Sequence, residues 1–241
     1  MMLLLDIGNS RIKWALVEAG RLSQMGAVDH SATASLRQVF ARMSAPSRIL
    51  VSNVAGDEAA MRVRELCATS GCPVEFVQAK SEQCGVRNGY IQPQRLGSDR
   101  WAALIAAWHD VQGACLVVNC GTATTVDALS ARGEFLGGLI LPGVDMMQVS
   151  LATGTAQLEA ATGALKDFPL DTADAIHSGV VRATLGAIEC QFLLLRAKET
   201  GARCVLSGGA TAKVMPHLSI PFDHVDNLVL RGLQIIGENK A

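Results

Sequence analysis

The chain opens with MMLLLDIGNSRIKWALVEAGRL and returns to the same plan near its middle, where residues 116–135 read LVVNCGTATTVDALSARGEF. Sliding the first stretch by 119 − 6 = 113 positions sets Asp6 on Asn119, Gly8 on Gly121 and Gly20 on Gly133 without a gap. In each copy an apolar strand meets a turn of Gly and small polar residues. A second, alternating strand follows (Ile12, Trp14 and Leu16 on one face of the first copy), and a Gly-containing turn leads into a third. That shared order reads as an internal duplication, and 241 residues hold two domains of about 110–120 residues each.

Helix and strand patterns alternate through both halves. The first continues with a helical stretch around 33–43, the strand RILVSNV ending at Val54, a helix over roughly 57–70 and a strand VEFVQA at 74–79. After an irregular 80–96 segment, GSDRWAALIAAWHDVQG predicts a helix started by Gly97 and Ser98 and stopped by Gly113, with Trp101, Leu104, Ile105 and Trp108 on one stripe. This helix is expected to close the first domain. The second half adds helical segments within 143–162 and 172–198, a strand RCVLSGGA, a short helix and a strand-like VDNLVL before GLQII. No long linker separates the halves, so the expectation is two α/β domains, 1–114 and 115–241, packed about a cleft.

Several function classes find no support. A net charge of −1 without a basic block argues against nucleic acid or an anionic membrane as the partner. No uninterrupted apolar run approaches the roughly 18 residues of a membrane helix, and the start lacks a basic segment with a cleavage site, so a cytoplasmic protein is expected. The seven cysteines contain no C-x-x-C and read as reduced and structural; the five histidines form no metal-spaced pair. Neither a G-x-x-x-x-G-K-[ST] loop nor a G-x-G-x-x-G fingerprint is present.

The carboxylate of Asp6, at the end of an apolar strand, needs hydrogen bonds or a cation to offset its desolvation. Two hairpin turns facing each other across a cleft can hold a polyphosphate, because Gly lets the backbone approach and successive N–H groups and hydroxyls donate. GTATT suits that role, although Thr122, Thr124 and Thr125 are also ordinary strand formers. Asp6 would then hold Mg²⁺, through water, beside the phosphates. Lys13 could reach a phosphate or lie solvated on the outer face of the hairpin; both readings stay open.

DIGNSRIKW, GSDRW, NCGTATTVDAL, the LSGGAT turn and the terminal NLVLRGL resemble, in order, the motifs of type III pantothenate kinases, of the acetate and sugar kinase/Hsp70/actin superfamily. The resemblance spans nearly the whole chain, and G-x-D-R between the two turns is its most specific element. It implies an α/β fold of two duplicated actin-like (ribonuclease H-like) domains with a nucleotide cleft between them. It also implies phosphorylation of pantothenate by ATP to give 4′-phosphopantothenate, with Mg²⁺, and a homodimer whose substrate pocket forms at the subunit interface.

Carried over position by position, the resemblance gives Asp6, Ile7, Gly8, Asn9, Ser10, Arg11, Ile12, Lys13 and Thr122 to ATP. Gly97, Ser98, Asp99 and Arg100 go to pantothenate, with Asp99 the catalytic carboxylate, and Tyr90 and Thr172 match further substrate positions. The residues of GSDR agree in kind. Asp99 falls in the first turn of a helix, where the dipole favours the ionised form, and Arg100 projects about 100° away, so one can orient a hydroxyl while the other grips a carboxylate.

Asn119 departs from the pattern: the family has an aspartate there, associated with a monovalent cation, K⁺ or NH₄⁺. An amide keeps an acceptor oxygen and removes a full charge. The cation requirement is then weakened, or another group supplies the charge, or the chain is less active. Two rival readings are another small-molecule kinase of the superfamily and a non-catalytic regulator, the latter supported by Asn119 alone.

Overall fold

The computed structural model describes residues 1–41, 43–154 and 162–239. Position 42, residues 155–161 of the helical segment expected within 143–162, and the last two residues lie outside them. The chain divides into two compact units, residues 1–110 with 227–241, and residues 111–226.

The first unit opens with β1 (Met2–Ile7), β2 (Arg11–Glu18) and β3 (Arg21–Asp29), an antiparallel set. Helix α1 (Thr33–Ala41) leads to β4 (Arg48–Asn53), α2 (Asp57–Cys67) and β5 (Val74–Phe76). The sheet order is β3-β2-β1-β4-β5, with β4 parallel to β1 and β5 parallel to β4. Every residue of β1 is buried, as a strand covered on both faces requires, whereas β3, at the sheet edge, is half solvated. On one face Leu3, Leu5, Ile7, Ile12, Trp14, Ile49 and Val51 pack with Leu36 of α1 and Val63 and Leu66 of α2. The segment expected to be irregular contains a short hairpin of β6 (Glu82–Gln83) and β7 (Val86–Asn88), and α3 (Ser98–Val111) follows.

The second unit repeats the plan with β8 (Cys115–Cys120), β9 (Ala123–Leu129), β10 (Glu134–Pro142), α4 (Val144–Gly154), the long α5 (Thr172–Lys198), β11 (Arg203–Ser207) and β12 (Asp223–His224). Its strands run β10-β9-β8-β11-β12, with β11 parallel to β8 and β12 parallel to β11. This is the first unit's order, third-second-first-fourth-fifth. Helix α5 has the length and composition of a bilayer-spanning helix. Its Val181, Leu185, Ile188, Phe192 and Leu195 nevertheless pack with Leu116, Val118 and Val126 of the sheet, and Arg182 and Glu189 interrupt its apolar run.

Register refines the duplication. Ile7 pairs with Ile12 in the first copy and Cys120 with Thr124 in the second, so the second strands are offset by 124 − 12 = 112, one less than the first strands. The second turn is one residue shorter: the Gly8 N–H donates to Arg11 O, the Gly121 N–H to Ala123 O. A bulge recurs as well. The register slips between Ala15 and Val17, with the extra residue on β3, and between Phe135 and Gly137, with the extra residue on β10.

Residues 227–241, expected in the second domain, lie with the first unit, while the division at 110/111 falls four residues before the expected boundary. The strand-like VDNLVL turns at Asn227, in the left-handed region at φ 55°, and starts α6 (Leu228–Glu238). Leu228, Leu230, Leu233 and Ile236 form a buried helical stripe, and α6 covers the second face of β1 and β4. At Gly232 the helix lies so close to α3 that a Cβ would collide with the Ala102 backbone. The run NLVL reads equally as strand or helix in sequence; that close approach decides it.

Candidate functional site

Alternation along β1 puts Leu3, Leu5 and Ile7 against α1 and α2, and turns Met2, Leu4 and Asp6 to the opposite face. Asp6 is flanked by Lys13 of β2 and Ser52 of β4, its partners in register. Ile7 and Ile12 point into the core cluster and offer a ligand only their backbone. Gly8, Asn9, Ser10 and Arg11 form the exposed turn, with the Gly8 carbonyl held by His30 Nε2 at 2.8 Å and Arg11 ion-paired to Asp29 at 3.2 Å. Lys13 lies on the Asp6 face, not among outward, solvated positions, because antiparallel partners share a face.

Helix α3 begins where this face ends. Its first helical bond runs from Trp101 N–H to Gly97 O, 2.9 Å, and the Asp99 carboxylate folds back to accept from Arg100 N–H at 2.7 Å. A Cβ on Gly97 would stand 2.7 Å from Asp99 Oδ1, so a glycine leaves the carboxylate its place. Arg100 is buried; it donates from Nη1 to Tyr90 Oη at 2.9 Å and lies 5.6 Å from the centre of that ring. The structure thus brings Asp6, Lys13, Tyr90, Gly97, Ser98, Asp99 and Arg100 into the first unit.

Charge sets the chemistry of this group. Burial first, and then repulsion by the Asp99 charge, push the Asp6 carboxyl up to about 7, against the pull of Lys13. Burial also raises Asp99, opposed by the Arg100 N–H and guanidinium. The two carboxyls differ in surroundings: Asp99 accepts the Arg100 backbone N–H and feels the charge of its guanidinium, whereas Asp6 has the charge of Lys13 to lower it. The buried thiols of Cys67, Cys115, Cys120 and Cys204, pushed by burial to about 11, 12, 11 and 12, are inert packing groups.

The remaining expected residues are in the second unit. Asn119, one residue before the end of β8, stands opposite Thr125 and beside Ser207; Thr122 is half-buried in the hairpin turn, where its carbonyl accepts from Gly143 N–H at 2.8 Å. Thr172 is exposed in the first turn of α5, which Asp171 caps by accepting from Asp174 N–H at 2.9 Å. It borders an apolar groove of about 770 Å³ lined by Met147, Leu151, Leu170 and Ile176.

Two polar residues escaped the sequence reading. Ser52 is fully buried within RILVSN, and Asp127 is 2% exposed on the same face of β9 as Thr125, its carboxylate packed over Gly138 where no Cβ could stand. In each case the signal was a polar residue inside an apolar strand, the same signal that singled out Asp6.

Two units that share one strand order and one bulge define an actin-like fold of duplicated domains; the PilM–PilN type IV pilus biogenesis complex matches it over 99% of both chains with a TM-score of 0.59 at 11% identity. Residues 2–193 match the model of the type III pantothenate kinase family. The type III pantothenate kinase of Aromatoleum aromaticum is 46% identical over 241 residues, all of this chain and 99% of that one, and that of Azoarcus sp. is 47% identical over all of this chain and 92% of its own. The chain belongs to the type III pantothenate kinase family.

Proposed function

We propose that the cluster at the start of α3 transfers the γ-phosphoryl group of ATP to the primary hydroxyl of pantothenate, giving 4′-phosphopantothenate and opening coenzyme A synthesis. The observation that carries this reading is the buried Asp6 under the charge of the half-buried Asp99, with Lys13 the register partner of the first and Arg100 next to the second. Asp99 orients the hydroxyl and accepts its proton as the phosphoryl group departs from ATP. Arg100, pre-oriented by Tyr90, presents its guanidinium to the pantothenate carboxylate, and Gly97 leaves the Asp99 carboxylate its place at the helix start.

Gly8, Asn9, Ser10, Arg11 and Lys13 offer N–H groups and side chains to ATP, Ile7 and Ile12 their backbone, and Thr122 a hydroxyl. Among the described residues no three His, Cys, Asp or Glu gather as a metal cluster. Mg²⁺ does not need one, since it takes one or two carboxylates with phosphate oxygens and water, and Asp6, whose carboxyl burial and the Asp99 charge raise to about 7, offers a hard oxygen donor whose ionised form a cation would favour. The metal, when bound, offsets phosphate charge. Asn119 supplies an amide oxygen where a monovalent ion would sit, and Asp127 is a carboxylate on that side of the hairpin.

Thr172 is proposed as a pantothenate contact and the groove beside it as the seat of a second copy, since Leu170 there is fully exposed. Replacing the acceptor tests the reading. Asp99→Asn is expected to lower turnover by roughly 10²-fold or more while ATP affinity stays within about twofold. Turnover like that of the unmodified chain would remove Asp99 from the reaction.

A further inference from the structure

Ser52 has no place in the reading so far. It sits at 0% exposure after Ile49, Leu50 and Val51, where a hydroxyl without a partner costs free energy that an alanine would not. Its partner is Ser98, the first residue of α3, 46 positions later: the two Oγ atoms are 3.0 Å apart. Ser98 Oγ also accepts the Asn53 backbone N–H at 3.1 Å. The side chain of Ser98 is thereby committed to β4.

This junction lies between the two carboxylates in the covalent sense as well. Ser52 is the register partner of Asp6 in the parallel β1–β4 pair, and Ser98 immediately precedes Asp99. A hydroxyl pair therefore joins the strand beside Asp6 to the residue before Asp99. Ser98 Oγ also lies 3.5 Å from the Asn53 carbonyl, a second contact of the same side chain with the end of β4. The neighbouring Asp99 turns its Oδ1 to the Arg100 N–H within the helix, so Ser98 is the residue beside it whose side chain reaches the strand.

We infer that Ser52 is a positioning residue: with Ser98 it sets where α3 begins relative to β1 and β4, and so where the Asp99 carboxylate stands relative to Asp6. The inference rests on Asp99 being the proton acceptor. A displacement of about 1 Å at a reacting group can cost up to about 10²-fold in rate while leaving the contacts that bind substrate in place. Loss of the hydroxyl pair should therefore appear in kcat.

The experiment is a double-mutant cycle of Ser52→Ala and Ser98→Ala, with KM for ATP and for pantothenate, kcat and ATP affinity measured for each variant, and Asp99→Asn alongside. Each single variant should lose about 10-fold or more in kcat, and Ser52→Ala should keep both KM values within about twofold. The double variant should be no worse than the poorer single, since either removes the same pair. Should Ser52→Ala fail to bind ATP, Ser98→Ala carries the kcat test, with the KM for ATP, from the other side of the bond. Unchanged kcat in the single variants beside an inactive Asp99→Asn would overturn the role of Ser52 and leave Asp99 standing. A rise in KM with kcat intact, or fully additive losses, would also overturn it. An active Asp99→Asn would instead remove the acceptor itself.

Discussion

Asp6 couples the site to the stability of the fold, and Asp6→Asn measures the coupling. Its carboxyl moves from a usual 3.8 to about 7 on folding, a rise of about 3 units, which at about 1.4 kcal/mol per unit makes the ionised form about 4 kcal/mol less favourable in the folded chain. Because the folded value is the raised one, the stability this group contributes is fully present below 3.8 and is lost as pH rises through about 7. Between pH 5 and pH 8 the unfolded chain keeps Asp6 ionised throughout while the folded chain must release its proton, so about 2–3 kcal/mol is lost. An isosteric amide cannot ionise and loses none of it.

The assay is thermal unfolding at pH 5, 6, 7 and 8 at constant ionic strength, with EDTA and without nucleotide. At roughly 2–4 °C per kcal/mol for a chain of this size, the Tm of the unmodified protein should fall by about 5–10 °C more over that interval than the Tm of Asp6→Asn. At pH 8 the variant should be the more stable of the two, yet gain nothing from Mg²⁺ and ATP, which should restore the unmodified protein. Parallel curves for the two proteins, or a variant less stable at pH 8, would refute the placement of an ionisable, desolvated carboxyl at this position.

Two further outcomes follow from the same structure. Gly232→Ala should destabilise the protein by about 1–3 kcal/mol, read in a denaturant melt, because its Cβ meets the Ala102 backbone and α6 must lift from α3. Potassium should stimulate phosphorylation of pantothenate weakly, or only at high concentration, and Asn119→Asp should strengthen the stimulation, measured against KCl with a large organic cation keeping ionic strength constant. Saturable activation of the unmodified chain at low millimolar potassium would point to another charge, with Asp127→Asn the variant to examine next.

The sequence by itself determined the duplication, the hairpin turns at Gly8 and Gly121 and the helix that begins at GSDR, because these are local patterns of period and turn chemistry, while Asn119 stood out through the resemblance to the family. Strand alternation assigns alternate residues to the two faces of a strand, as for Ile12, Trp14 and Leu16. It could not say which helix covers each face, and function depends on that. The run NLVL became the start of α6 and rejoined the first unit because a glycine lets it touch the Ala102 backbone, a contact between residues 232 − 102 = 130 positions apart. The shorter second turn and the shared bulge appear only in strand register, since a one-residue change leaves the apolar pattern nearly intact. Ser52 met Ser98, and Asp6 came under the charge of Asp99, through pairings that no window of sequence contains. Burial and distance set those interactions, and both are properties of the assembled fold.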